Sequence, residues 1–152
     1  MEIKLKVART HVNQLSNPSV QTEFASIQQE LNRVSLQLEN GKICMFFVKG
    51  YYEHSERKLI TACLFINMLD FSISELHGQL RIKLKNCDAV VAKAELNFDS
   101  DFLGTLKPKE ALLTHINFPV KGLKSNEVFL HSDVECWFND VRVSKASEEK
   151  NG

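Results

Sequence analysis

Apolar and polar positions alternate along much of the chain. In EIKLKVA, Ile3, Leu5 and Val7 share one face, and in VSLQLE so do Val34, Leu36 and Leu38. In QLRIKLKN, Leu80, Ile82 and Leu84 alternate with Arg81, Lys83 and Lys85. VVAKAELNF sets Val90, Ala92, Ala94, Leu96 and Phe98 against Val91, Lys93, Glu95 and Asn97. Such alternation puts one face of a strand on a core and the other in water. The turn-rich KNCD link makes residues 76–98 a predicted β-hairpin. ALLTHINFP reads as a strand stopped by Pro119, and VFLHSDVECWFNDVRV as one or two more, with breaks at Ser132-Asp133 and Asn139-Asp140. SKASEEKNG reads as a polar, frayed end.

Two segments break the rule. CMFFVKGYY and LITACLFIN are continuously apolar, as strands covered on both faces are. A cover is available in PSVQTEFASIQQELNRV, where Val20, Phe24, Ile27, Leu31 and Val34 form a helical stripe, with Asn17 as cap and Pro18 at the first helical position. Helix 18–33 is therefore expected on the outer face of the sheet holding strands 43–53 and 58–67. The rival cover is a second subunit.

With roughly seven to nine strands and one helix, the expected fold is mainly β: an antiparallel immunoglobulin-like β-sandwich with one N-terminal amphipathic helix. Residues 1–40 are read as a strand and helix packing on the body, 41–143 as the sandwich, and 144–152 as a tail. The expected core holds Leu36, Phe46, Val48, Leu64, Ile66, Leu80, Ile82, Ala92, Ala94, Leu96, Phe98, Ile116 and Phe118. Within ITACLFINMLDFSI, Asn67 interrupts the most apolar stretch. It stands where a buried strand ends and the chain crosses the sandwich edge, so its amide is expected to bond to main chain. In FDSDFLGTLKPKE, Phe102 and Leu103 are expected to fold back onto the sandwich end, with Gly104 at positive φ.

Composition narrows the functional classes. The chain has 152 residues, 19 Lys+Arg and 19 Asp+Glu, so its formal charge is zero. No global basic field exists to attract a phosphate backbone, and nucleic acid is not an expected partner. No apolar run approaches a membrane span, and the N-terminal residues lack the apolar segment of a signal peptide, so a cytoplasmic location is expected. A neutral surface leaves homo-oligomerisation open. Cys44, Cys63, Cys87 and Cys136 form no C-x-x-C pair and read as free thiols, with Cys87 exposed.

Motifs for chemistry are missing. His11, His54, His77, His115 and His131 are dispersed, and no metal is expected. There is no glycine-rich phosphate loop and no nucleophile elbow, and no cofactor is expected. Asp99 and Asp101 read as a solvated turn rather than a cation loop. Asp99, Asp101, Glu110 and His115 are the nearest approach to a catalytic set, and the expectation is a non-enzyme. The candidate binding residues are Tyr51, Tyr52, Arg81, Lys83 and Trp137. The tyrosines and tryptophan suggest an aromatic platform for a carbohydrate or other small molecule. Arg81 and Lys83 suggest a local positive patch.

The stretches CLFINMLDFSISELHGQL and DAVVAKAELNFDSDFLGTLKPKEALLTHINFP carry a resemblance. An apolar strand ending in F-x-N, a strand pair, AxAxLNFDSDFLGTLKP and a strand ending in INFP resemble, over about residues 59–119, the SLAP domain. This is the β domain of accessory-Sec-system S-layer assembly proteins of Bacillus and relatives. The resemblance implies a non-enzymatic interaction module on the cytoplasmic side, with a secretion or surface-layer protein as partner, and no catalytic residues. The resemblance does not place the N-terminal helix.

Overall fold

The alternating segments become strands of two sheets, and the chain is mainly β. The computed structural model describes residues 3–7, 25–29 and 38–146. In chain order the strands are β1 (Lys4–Val7), β2 (Ile43–Glu53), β3 (Lys58–Asn67), β4 (Ile73–Leu84), β5 (Val90–Val91), β6 (Ala94–Phe98), β7 (Glu110–Lys121), β8 (Glu127–Leu130) and β9 (Val134–Lys145). The larger sheet has six strands in the order β1-β7-β3-β2-β8, with β5 also on β7. The smaller has three, in the order β6-β4-β9. Pairing is antiparallel throughout except between β1 and β7, which run parallel.

The two sheets share one core. Leu59, Phe65, Leu112 and Phe118 of the larger sheet meet Leu76, Leu80, Leu84 and Leu96 of the smaller. Burying each such side chain is worth about 1.5–3 kcal/mol. The Phe65 ring lies 5.5 Å from Phe98 and 5.1 Å from Phe138, so one aromatic of β3 ties β6 and β9 together. Gly78 makes room for this. A Cβ there would lie 2.5 Å from the Phe138 ring.

LITACLFIN is buried on both faces, and CMFFV is buried or half-buried on both, but beyond it Lys49 and Tyr51 are exposed on the outer face. Leu64, Ile66, Ala111 and Leu113 point away from the shared core into a second cluster with Ile3, Leu5, Ile27 and Leu38. Ile27 lies in residues 25–29, which are helical. The remainder of helix 18–33, and Val34 and Leu36 of the expected strand, lie outside the described residues.

Several expectations are corrected. Phe46 and Val48 belong to the outer cluster, and Phe47 enters the shared core. A bulge between Phe47 and Lys49 then reverses the phase of β2. Residues 76–98 are not one hairpin: β6 pairs with β4, but Val90 and Val91 cross to β7 of the other sheet. Pro119 does not stop β7. The N–H of Val120 donates to the Arg57 carbonyl at 3.0 Å, so position 119 is in the phase that needs no donor toward β3. Asn139-Asp140 is a bulge within β9, with Asp140 at φ 54°, rather than a break. The strand continues to Lys145, beyond the expected tail boundary at 144. The break at Ser132-Asp133 is present as a 3-10 turn.

Asn67 is fully buried and saturated. Its Nδ2 donates to the carbonyls of Phe71 at 3.0 Å and Leu106 at 2.9 Å, and its Oδ1 accepts from the Leu69 N–H at 2.9 Å. All of these partners are main chain, as expected. The FDSDF segment forms a short helix, Ser100–Leu103, capped by Asp99, whose Oδ1 accepts the Phe102 N–H at 3.0 Å. Gly104 closes it at φ 69°. Phe102 stacks on Phe98 at 5.0 Å and Leu103 is buried, so both fold back onto the sheets.

Candidate functional site

The five candidate binding residues do not converge on one surface. After the β2 bulge, Tyr51 points to the outer face of the larger sheet, 41% exposed, and Tyr52 points into the core, 1% exposed. The Tyr52 hydroxyl is 3.2 Å from His54 Nδ1. Trp137 lies on the smaller sheet, 42% exposed. The expected aromatic platform is therefore dissolved, because adjacent residues of a strand face opposite ways and the third ring belongs to the other sheet.

Arg81, Lys83 and Trp137, by contrast, come together. Register places Arg81 directly across from Trp137 and Lys83 across from Glu135 on the outer face of the smaller sheet. All three line a depression of about 380 Å³, which the Cys87–Val91 connection borders. Val90 is 65% exposed and contributes apolar surface to the same depression. Asp88 supplies the one carboxylate of the lining. Among the described residues neither Arg81 nor Lys83 forms an ion pair. Two unpaired cations beside an indole and an exposed valine can hold carboxylates and apolar groups at once.

Val90, Asp88 and Cys87 were not legible as part of a site. Alternation assigns Val90 to the inward phase, and only the consecutive pair Val90-Val91 hints that the chain is leaving one sheet for another. Farther along the same outer face, His77 is held between Asn97 Oδ1 at 3.0 Å and Glu75 Oε1 at 3.1 Å. Gln79 donates to Glu95 at 2.8 Å. These side chains satisfy one another.

Other chemistry has a structural account. Burial pushes the Cys63 thiol up to about 12, opposed in part by its hydrogen bond with Thr61, and pushes Cys136 up to about 12 as well. Both remain protonated at neutral pH and are poor nucleophiles. Cys44 is buried and Cys87 exposed. Among the described residues no three of His, Cys, Asp and Glu are grouped to hold a metal ion. Asp99 is occupied as a helix cap, and Glu110 Oε1 accepts the Lys107 N–H at 2.8 Å. His115 is exposed on the far side of the larger sheet, where it lines a different hollow with Tyr51 and Val128. Among the described residues no helix is long and apolar enough to cross a membrane. No known protein family, curated protein or solved structure matches the chain.

Proposed function

We propose that the chain is a non-enzymatic protein-interaction module, which uses the depression at Arg81, Lys83, Val90 and Trp137 to bind an acidic and apolar segment of a protein partner. The observation that carries this is the pairing of two cations that form no ion pair among the described residues with two exposed apolar side chains on an otherwise polar sheet face. Such a combination suits a polypeptide better than a sugar, since the three aromatic residues that a glycan platform needs are apart. The resemblance to the SLAP domain supplies the class of partner: a secretion or surface-layer protein met on the cytoplasmic side. In the same proposal the two sheets form an immunoglobulin-like sandwich, with helix 18–33 over the outer face. Its support is the shared core and the placement of Ile27.

The test is a pull-down from the native cell with the unmodified chain and with the Arg81→Glu, Lys83→Glu double variant. Both changes are on an exposed face and should move stability by less than ~0.5 kcal/mol. The expected result is recovery of a secretion or surface-layer component by the unmodified chain and its loss, by roughly tenfold or more, in the variant. Equal recovery by both would remove the depression as the site.

A further inference from the structure

We infer that the free edge of β9 pairs with β9 of a second copy of this chain, antiparallel about a twofold axis. The outward backbone groups of β9, which meet no further strand among the described residues, carry the inference. The N–H of Lys85 donates to the Asp133 carbonyl at 2.9 Å, one step beyond the Leu84–Val134 pair that ends the β4–β9 register. Bonding alternates along an antiparallel pair. The backbone groups of Glu135 and Trp137 therefore face β4, and those of Val134, Cys136 and Phe138 face outward. β9 has β4 as its only strand partner among the described residues.

Edges of natural sheets are blunted by caps, shortness, lysine, proline or bulges; the other edges of this fold show such devices, and on β9 they lie beyond Phe138, at the Asp140 bulge and Lys145. On β1, the Leu5 N–H donates to Gln28 Oε1 at 2.9 Å, and Gln28 Nε2 donates to the Ile3 carbonyl at 2.6 Å. On β8, the Leu130 N–H donates to Asp133 Oδ2 at 2.9 Å. β6 is only five residues long. β9 has twelve residues, and its run Val134–Phe138 contains no lysine, proline or glycine. Of the inward side chains of this run, Val134 is buried, whereas Cys136 and Phe138 are only partly buried and border a cleft of about 300 Å³ with Leu38, Glu39, Ile43 and Met45.

The run is complementary to itself. About an axis at Cys136, Val134 opposes Phe138 of the second copy, and Glu135 opposes Trp137. The single charge thus never meets its own copy, half-buried Cys136 meets Cys136, and half-buried Phe138 lies beside Val134, which the shared core already buries. Zero net charge leaves no long-range repulsion to overcome. The bulge at Asp140 ends the straight run, which limits pairing to this short segment. The interface uses the strand edge, whereas the proposed partner depression uses the sheet face, so the two stand or fall separately.

The test is sedimentation equilibrium on the unmodified chain, with Cys136→Pro and Cys136→Ala. Proline at 136 removes a donor that faces outward and costs no bond to β4. The expected result is a concentration-dependent dimer, retained by Cys136→Ala and weakened on the order of thirtyfold or more in Cys136→Pro, which loses two interchain bonds per dimer. Amide exchange on the unmodified chain keeps the test independent of how the proline variant folds. The amides of Cys136 and Phe138 should slow as concentration rises. A monomer at every concentration overturns the inference, whether or not the edge takes another protein's strand. So does a dimer in which those amides stay fast.

Discussion

Gly78 is the residue on which the packing of the smaller sheet turns. It sits inward on β4, and the Phe138 ring occupies the volume that a side chain would fill. That ring is itself held by Phe65, so it has little room to retreat. Gly78→Ala should cost about 1–3 kcal/mol, the usual penalty of overpacking, read as a drop in denaturant midpoint. Adding Phe138→Leu should recover part of the loss, so that the double variant is more stable than the sum of the singles. Cys63 is legible in another way. Its thiol keeps its proton in the folded state up to about 12, against an ordinary value of 9.0. Unfolded chains therefore release this proton first as pH rises, and the thiol's contribution to stability declines from about pH 9 upward. Cys63→Ala should flatten the fall in melting temperature between pH 9 and pH 12 relative to the unmodified chain. An unchanged slope would mean that the thiol is not shielded as described.

At the scale of the element, alternation gave the right phase in β4 and β6, where one strand face is wet. β4 is the clearest case, with Leu80, Ile82 and Leu84 inside and Arg81 and Lys83 outside. It failed where both faces are buried, because periodicity then carries no phase. In CMFFVKG the choice between Phe46 and Phe47 is set by the bulge that follows, and nothing in a run of apolar residues announces a bulge. The same bulge decides that Tyr52, and not Tyr51, faces the core. The Val90-Val91 crossing was hidden for a different reason: a two-residue strand is too short for any period to show. Half of the candidate site was thus readable, namely Arg81, Lys83 and Trp137. The other half came from a connection that only the register of β5 on β7 reveals.

For the molecule as a whole, Asn67 does more than end a strand. Its side chain holds the 68–71 crossing and the carbonyl of Leu106, and its own carbonyl accepts the Lys109 N–H at 2.6 Å. Next to it, Met68 exchanges two backbone bonds with the 41–42 turn, Gly41 N–H to Met68 O at 2.7 Å and Met68 N–H to Lys42 O at 3.0 Å. Three segments far apart in sequence are thus fastened at one point. Such a fastening makes their openings a single event. The amides of Gly41, Met68, Leu69 and Lys109 should exchange with solvent at one common free energy, as one cooperative unit. Replacing Asn67 with Ala strands one donor, the Leu69 N–H, and two acceptors, the Phe71 and Leu106 carbonyls, at a cost of about 1–3 kcal/mol, and in exchange experiments all four amides should accelerate together. Were Lys109 to keep its original rate while Leu69 sped up, the loop before β7 would be opening on its own. As it is bonded, one carboxamide sets the tempo at which this end of the molecule breathes.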